Sequence, residues 1–141
     1  MLVVSEAFGG APNGSAVSSY SLHDGQLTVR SGSVPTTQTA ACWIVIAKNG
    51  KFAYASNTGS NNISSYRVGS AGRLTLQEAV ATPTGAGPID MALNKNGRFL
   101  YVLNSGSRSL EVFRVNRGTG RLTPGTGVSG LPNGANGLVA R

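Results

Sequence analysis

Apolar and polar residues alternate in short runs through most of this chain, and the runs recur with a period of about 47 residues. Gly50-Lys51-Phe52-Ala53-Tyr54-Ala55-Ser56-Asn57 returns as Gly97-Arg98-Phe99-Leu100-Tyr101-Val102-Leu103-Asn104, and Leu2-Val3-Val4-Ser5-Glu6 is a diverged copy. A second motif occupies residues 17–22, 63–68 and 110–115. A third reads Gly25-Gln26-Leu27-Thr28, Gly72-Arg73-Leu74-Thr75 and Gly120-Arg121-Leu122-Thr123. Strict alternation marks a half-buried strand. A repeat of this length made of such strands signals a propeller, not a helical solenoid.

Each repeat divides into four strands. The first is predicted at residues 42–47, 89–93 and 138–140. Tight turns at Lys48-Asn49-Gly50 and Lys95-Asn96-Gly97 follow, since Asn and Gly tolerate the positive φ that a hairpin needs. The second strand is predicted at 2–6, 52–56 and 99–103, and the third is the motif at 17–22, 63–68 and 110–115. The fourth is weaker, at 27–31, 74–80 and 122–128. No amphipathic helix is predicted, and 20 glycines suit a turn-rich, all-β chain.

The phase of the repeat is offset from the chain ends. The sequence opens on a second strand and finishes on a first strand, so the first blade lacks its inner strand until residues 137–140 supply one. The blades are then 2–41 with 137–140, 42–88, and 89–136. Three blades cannot close a ring, because propellers have roughly four to eight. Two copies exchanging their terminal strands would close six. The expected fold is therefore an all-β propeller of three four-stranded blades per chain, completed as a six-bladed ring in a head-to-tail homodimer.

The run Gly87-Pro88-Ile89-Asp90-Met91-Ala92-Leu93-Asn94-Lys95-Asn96-Gly97-Arg98-Phe99-Leu100-Tyr101-Val102-Leu103-Asn104, with 110–115 and Gly120-Arg121-Leu122-Thr123 after it, resembles the lactonase-type propellers. These include bacterial 6-phosphogluconolactonase-like proteins and the related Tyr-Val-Thr-Asn repeat proteins. The resemblance covers nearly the whole chain. It implies a seven-bladed relative more than twice as long, of which this chain matches the C-terminal three blades. It also implies activity on sugar or carboxylic lactones, although many members have no demonstrated reaction. It identifies scaffold positions here, and no catalytic residue.

Composition narrows the partners. The apolar fraction of 40% argues against disorder, and 141 residues suffice for one domain with a workable core. No leader and no long apolar run is seen, so the expected location is cytoplasmic or else unspecified, with no membrane partner. The single cysteine excludes an internal disulfide. A net charge of +7 raises the question of nucleic acid. Lys48, Lys51, Lys95 and Arg98 fall at first-to-second turns, and Arg73, Arg117 and Arg121 at third-to-fourth turns, all on one rim. Without interleaved aromatics for stacking, these charges read as solvated turns, and no nucleic-acid partner is expected.

The opposite rim carries the candidate chemistry. Glu6, Asn57 and Asn104 end equivalent second strands and could form a ring of oxygen ligands, or simply satisfy loop backbone groups. Trp43 and Asp90 begin equivalent first strands: Trp43 could stack on a ring ligand or pack between blades, and Asp90 could act as a base or cap a loop. The first repeat carries an enlarged loop, residues 7–14, in which Phe8 could wall a pocket. Cys42 reads as a core thiol. The only histidine, His23, lies beside Asp24 in a turn away from any serine nucleophile motif, so no hydrolase triad is supported. No metal site and no cofactor is expected.

Two functions fit these residues. One is a non-catalytic scaffold for assembly or for a small-molecule ligand at Phe8, Trp43, Asn57, Asn104 and Arg108. The other is a lactone hydrolase in which Glu6 or Asp90 activates water and Arg108 holds an anionic substrate. Whether the chain is an enzyme is not decided by its sequence.

Overall fold

The computed structural model describes residues 1–141 as three antiparallel sheets set side by side. The first sheet holds β1 (Leu2–Glu6), β2 (Ala16–His23) and β3 (Gln26–Pro35). The second holds β4 (Ala41–Ile46), β5 (Phe52–Asn57), β6 (Asn62–Val68) and β7 (Leu74–Pro83). The third holds β8 (Pro88–Leu93), β9 (Phe99–Asn104), β10 (Ser109–Val115) and β11 (Leu122–Pro124), with β12 (Val128–Ser129) also paired to β10. Strands pair in chain order, as tight turns between alternating runs require. The only helical pieces are 3-10 turns at Phe8–Gly10 and Ser70–Gly72. No helix is long and apolar enough to cross a membrane.

The hairpin turns form as their residues dictate. Gly50 and Gly97 adopt φ of +69° and +67°, and the Asn49 and Asn96 carboxamide oxygens accept the backbone N–H of Lys51 and Arg98, each at 3.0 Å. The fourth strands differ from expectation. β3 and β7 run on to Pro35 and Pro83, because bulges opposite Ser19 and Ser65 re-register the ladder and let pairing continue. In the third sheet the same strand breaks into β11 and β12 around Gly125–Gly127, where Pro124 has no N–H to donate. Residues 138–140 form no strand within the single chain. The first sheet therefore has three strands, and β1 keeps a free edge.

The larger core lies between the second and third sheets. Phe52, Tyr54 and Ile63 pack there against Leu100, Val102, Phe113, Val115 and Leu122. The Tyr54 hydroxyl donates to the Gly120 carbonyl at 2.8 Å. Gly120 has φ of +78°, and a Cβ there would strike the Phe52 ring, so glycine is required both by the turn and by the close approach. Between the first and second sheets, Val17 packs with Ala53, Ala55, Tyr66 and Leu74, and the Tyr66 hydroxyl donates to the Val34 carbonyl at 3.2 Å. Burial pushes the Tyr54 and Tyr66 hydroxyls well above the ordinary tyrosine range, helped by the charges of Glu78 and Glu6 respectively.

Candidate functional site

The side chains at the ends of β1, β5 and β9 turn inward and bind their own sheets. Glu6 accepts a hydrogen bond from the Ser18 hydroxyl, whose oxygen also accepts the Ser33 N–H at 2.9 Å. Asn57 donates through Nδ2 to Asn62 Oδ1 at 2.8 Å and to Ser64 Oγ at 2.9 Å, and Ser64 donates onward to the Ala79 carbonyl at 2.7 Å. Asn104 donates to Ser109 Oγ at 3.2 Å. In the first two sheets the device ties the third strand to the bulged fourth. Asn57 and Asn104 are wholly buried, so neither faces a ligand in the open channel. Glu6 Oε2, Asn57 Oδ1 and Asn104 Oδ1 are enclosed without a partner. No group of three His, Cys, Asp or Glu side chains could hold a metal ion.

Trp43 and Asp90 hold equivalent positions on the inner strands β4 and β8 but differ in environment. Trp43 is 44% exposed, with its backbone N–H bound to Ser56 Oγ at 3.1 Å. Asp90 is buried; its Oδ2 accepts the Leu138 N–H at 2.6 Å, while Oδ1 is enclosed without a partner. Cys42 is exposed, contrary to its reading as a core thiol, and its S–H points to the Ile89 carbonyl at 3.6 Å. The register shift between Ala41 and Trp43 turns this stretch of the inner strand out of the core. Phe8 is 56% exposed on the enlarged loop. Arg108 is exposed in the β9–β10 turn with φ of +50°, its carbonyl accepting the Leu131 N–H at 3.0 Å.

The basic residues gather at the opposite rim. The two turn types do share that rim, since the Asn49 side chain donates across to the Arg117 carbonyl at 2.8 Å. Arg98, Arg114 and Arg117 line a cavity of about 510 Å³ with Asn116 and Thr123. Arg114 does not stand out in the sequence, because it lies on a strand and not in a turn; its repeat equivalence to Arg67 is the signal that could have found it. No carboxylate pairs with any of these arginines; Asp24 lies 3.0 Å from His23 Nδ1, both side chains exposed.

Each outer sheet also presents one uncovered face. On the third sheet it carries Phe99, Tyr101, Leu110 and Arg114; on the first, Leu2, Val4, Tyr20, Leu22, Leu27 and Val29. The C-terminal segment lies over part of the former, where Leu131, Ala135 and Leu138 meet Leu103 and Leu110.

The family model described as "Lactonase, 7-bladed beta-propeller" matches residues 14–134, and the chain belongs to that family. No curated protein matches it. Among solved structures it is similar to a candidate 6-phosphogluconolactonase of Bacteroides uniformis, at 24% identity and a TM-score of 0.71 over 84% of this chain and 35% of that one. A candidate 6-phosphogluconolactonase of Bacteroides fragilis gives 23% and 0.70, over 84% and 34%. The periplasmic gluconolactonase of Pseudomonas aeruginosa gives 22% and 0.68, over 88% and 36%. At these identities the likeness establishes the fold alone. The chain spans about a third of the length of the structures it matches.

Proposed function

We propose that this member of the lactonase propeller family is a non-catalytic, three-bladed scaffold that completes itself by exchanging terminal strands with a second copy. The observation that carries this reading is the free edge of β1, which lacks an inner strand, in a chain whose residues 138–140 are apolar and unpaired. A ring completed in this way would offer Trp43, Phe8 and Arg108 to a small-molecule ligand at the channel mouth. The internal hydrogen bonds of Glu6, Asn57 and Asn104 support a structural role for that trio.

The second reading is a lactone hydrolase, and the unpartnered Oδ1 of Asp90 favours it. That oxygen would take a proton from water as the water oxygen attacks the lactone carbonyl, and return it to the ring oxygen as the ring C–O bond breaks. A turnover screen against sugar lactones separates the two. We expect rates equal to the uncatalysed background for the wild type, Asp90→Asn and Glu6→Gln alike. Turnover that Asp90→Asn abolishes would replace the scaffold reading with the hydrolase.

A further inference from the structure

We infer that the arginine-lined cavity on the third sheet is a self-docking site that receives Asp24 from the first sheet of a second copy. The inference rests on the scaffold reading above and specifies its contact. The internal interface between the second and third sheets supplies the template. There, one sheet contributes Phe52, Tyr54 and Ile63, and the other contributes Leu100, Val102, Phe113, Val115 and Leu122. One repeat further on, Phe99, Tyr101 and Leu110 hold the positions of the first set, on the uncovered face of the third sheet. Leu2, Val4, Tyr20, Leu22 and Leu27 hold the positions of the second set, on the uncovered face of the first sheet. Each of these eight positions is apolar both in the sealed interface and in its open counterpart.

The turn glycines extend the correspondence. Gly120 closes on the Phe52 ring, and Gly72 closes on Met1, whose sulfur would lie 2.8 Å from an added Cβ. Gly25 is the third member of this set, with φ of +77° and nothing within 4 Å of the point where a Cβ would stand. In a head-to-tail contact Gly25 would close on Phe99 of the other copy. Its neighbour Asp24, 88% exposed and paired only with His23, would then enter the space bounded by Arg98, Arg114 and Arg117. Three cations without a carboxylate at one end of the chain meet a carboxylate with no cationic partner but a histidine at the other.

The C-terminal segment already stands in the matching place. Asp90 on β8 holds the Leu138 N–H, much as Cys42 on β4 reaches the Ile89 carbonyl of the next inner strand. Residues 138–140 thus lie one step further along the row of inner strands, where the free edge of β1 from the second copy would meet them. Each copy would use its first-sheet face once as donor and its third-sheet face once as acceptor. Such a heterologous contact generates a closed ring when its rotation closes.

The decisive measurement is absolute mass by light scattering on a sizing column, for the full chain and two charge variants. We expect twice 14.4 kDa for the wild type. Asp24→Arg and Arg114→Asp should each fall to the single-chain mass, and an equimolar mixture of the two should return to the doubled mass. Recovery on mixing requires that residue 24 of one copy meet residue 114 of the other, because one contact of the mixed pair is then charge-swapped and the other is native. Circular dichroism of each variant checks that it remains folded; both substitutions lie on exposed side chains. A doubled mass that neither variant lowers would overturn the docking site while leaving assembly intact. A wild-type mass of 14.4 kDa at all concentrations would overturn both.

Discussion

Phe52 and Phe99 are the same residue of the repeat in two settings. Phe52 is 2% exposed and sealed by Gly120 of the third sheet; Phe99 is 39% exposed, with no sheet packed over its face. Tyr54 and Tyr101 differ likewise: the Tyr54 hydroxyl is satisfied by a neighbouring blade's carbonyl, and Tyr101 borders the gap beside the C-terminal segment. The β5–β6 and β9–β10 ladders that carry these residues are nearly identical, so their hydrogen bonding is not what distinguishes them. What differs is lateral packing. A blade of this protein is built by its own turns and stabilised by its neighbours, which is how linear repeat arrays distribute their stability.

The comparison can be broken most forcefully by truncating the two tyrosines in the Asp24→Arg background, which keeps the chain single. Tyr54→Ala should cost about 3–5 kcal/mol, as for other buried aromatics, and Tyr101→Ala about 1 kcal/mol. Equal costs in chemical denaturation would mean that the interface is not where the stability lies. The glycines give a narrower test. Gly120→Ala combines left-handed backbone strain of about 1–2 kcal/mol with about 1–3 kcal/mol of overpacking against Phe52. Gly25→Ala, in open space, should show the strain alone in the same background.

The smallest effect is expected in alkali. Burial keeps Tyr54 and Tyr66 protonated beyond the ordinary value of 10.0, at which the unfolded chain already releases its protons. The stabilisation from these hydroxyls is therefore complete below pH 10 and is lost as pH rises above it. Denaturant midpoints measured from neutral pH upward should stay level and then fall, and Tyr54→Phe should fall less steeply.

Much of this architecture is legible in the sequence because it depends on local chemistry. Asn49-Gly50 and Asn96-Gly97 define hairpins, and the alternation of 52–57 and 99–104 assigns each side chain to a face. The bulges opposite Ser19 and Ser65 are not legible, because an extra residue in a ladder leaves no mark in the alternation of one strand. Residues 138–140 have the composition of a strand, but a strand exists only beside a partner, and composition does not name one. The candidate site is less legible for a related reason. Asn57 and Asn104 look like rim ligands when only their repeat positions are known; their burial depends on Asn62, Ser64 and Ser109 reaching back across the turn. Cys42 looks like a core thiol in the sequence because its exposure depends on a register shift in β4.

The pairing of strands in chain order has a consequence for the way the protein is made. Contacts within a blade join segments close in sequence, so each ladder can close quickly, without waiting for distant parts of the chain. During synthesis the three strands of the first sheet can pair before β4 emerges, and the second sheet can close before β8. Only the seals between blades depend on arrival of the next one. Within one copy alone the middle blade, flanked on both sides, is the slowest to open, and the outer two fray first.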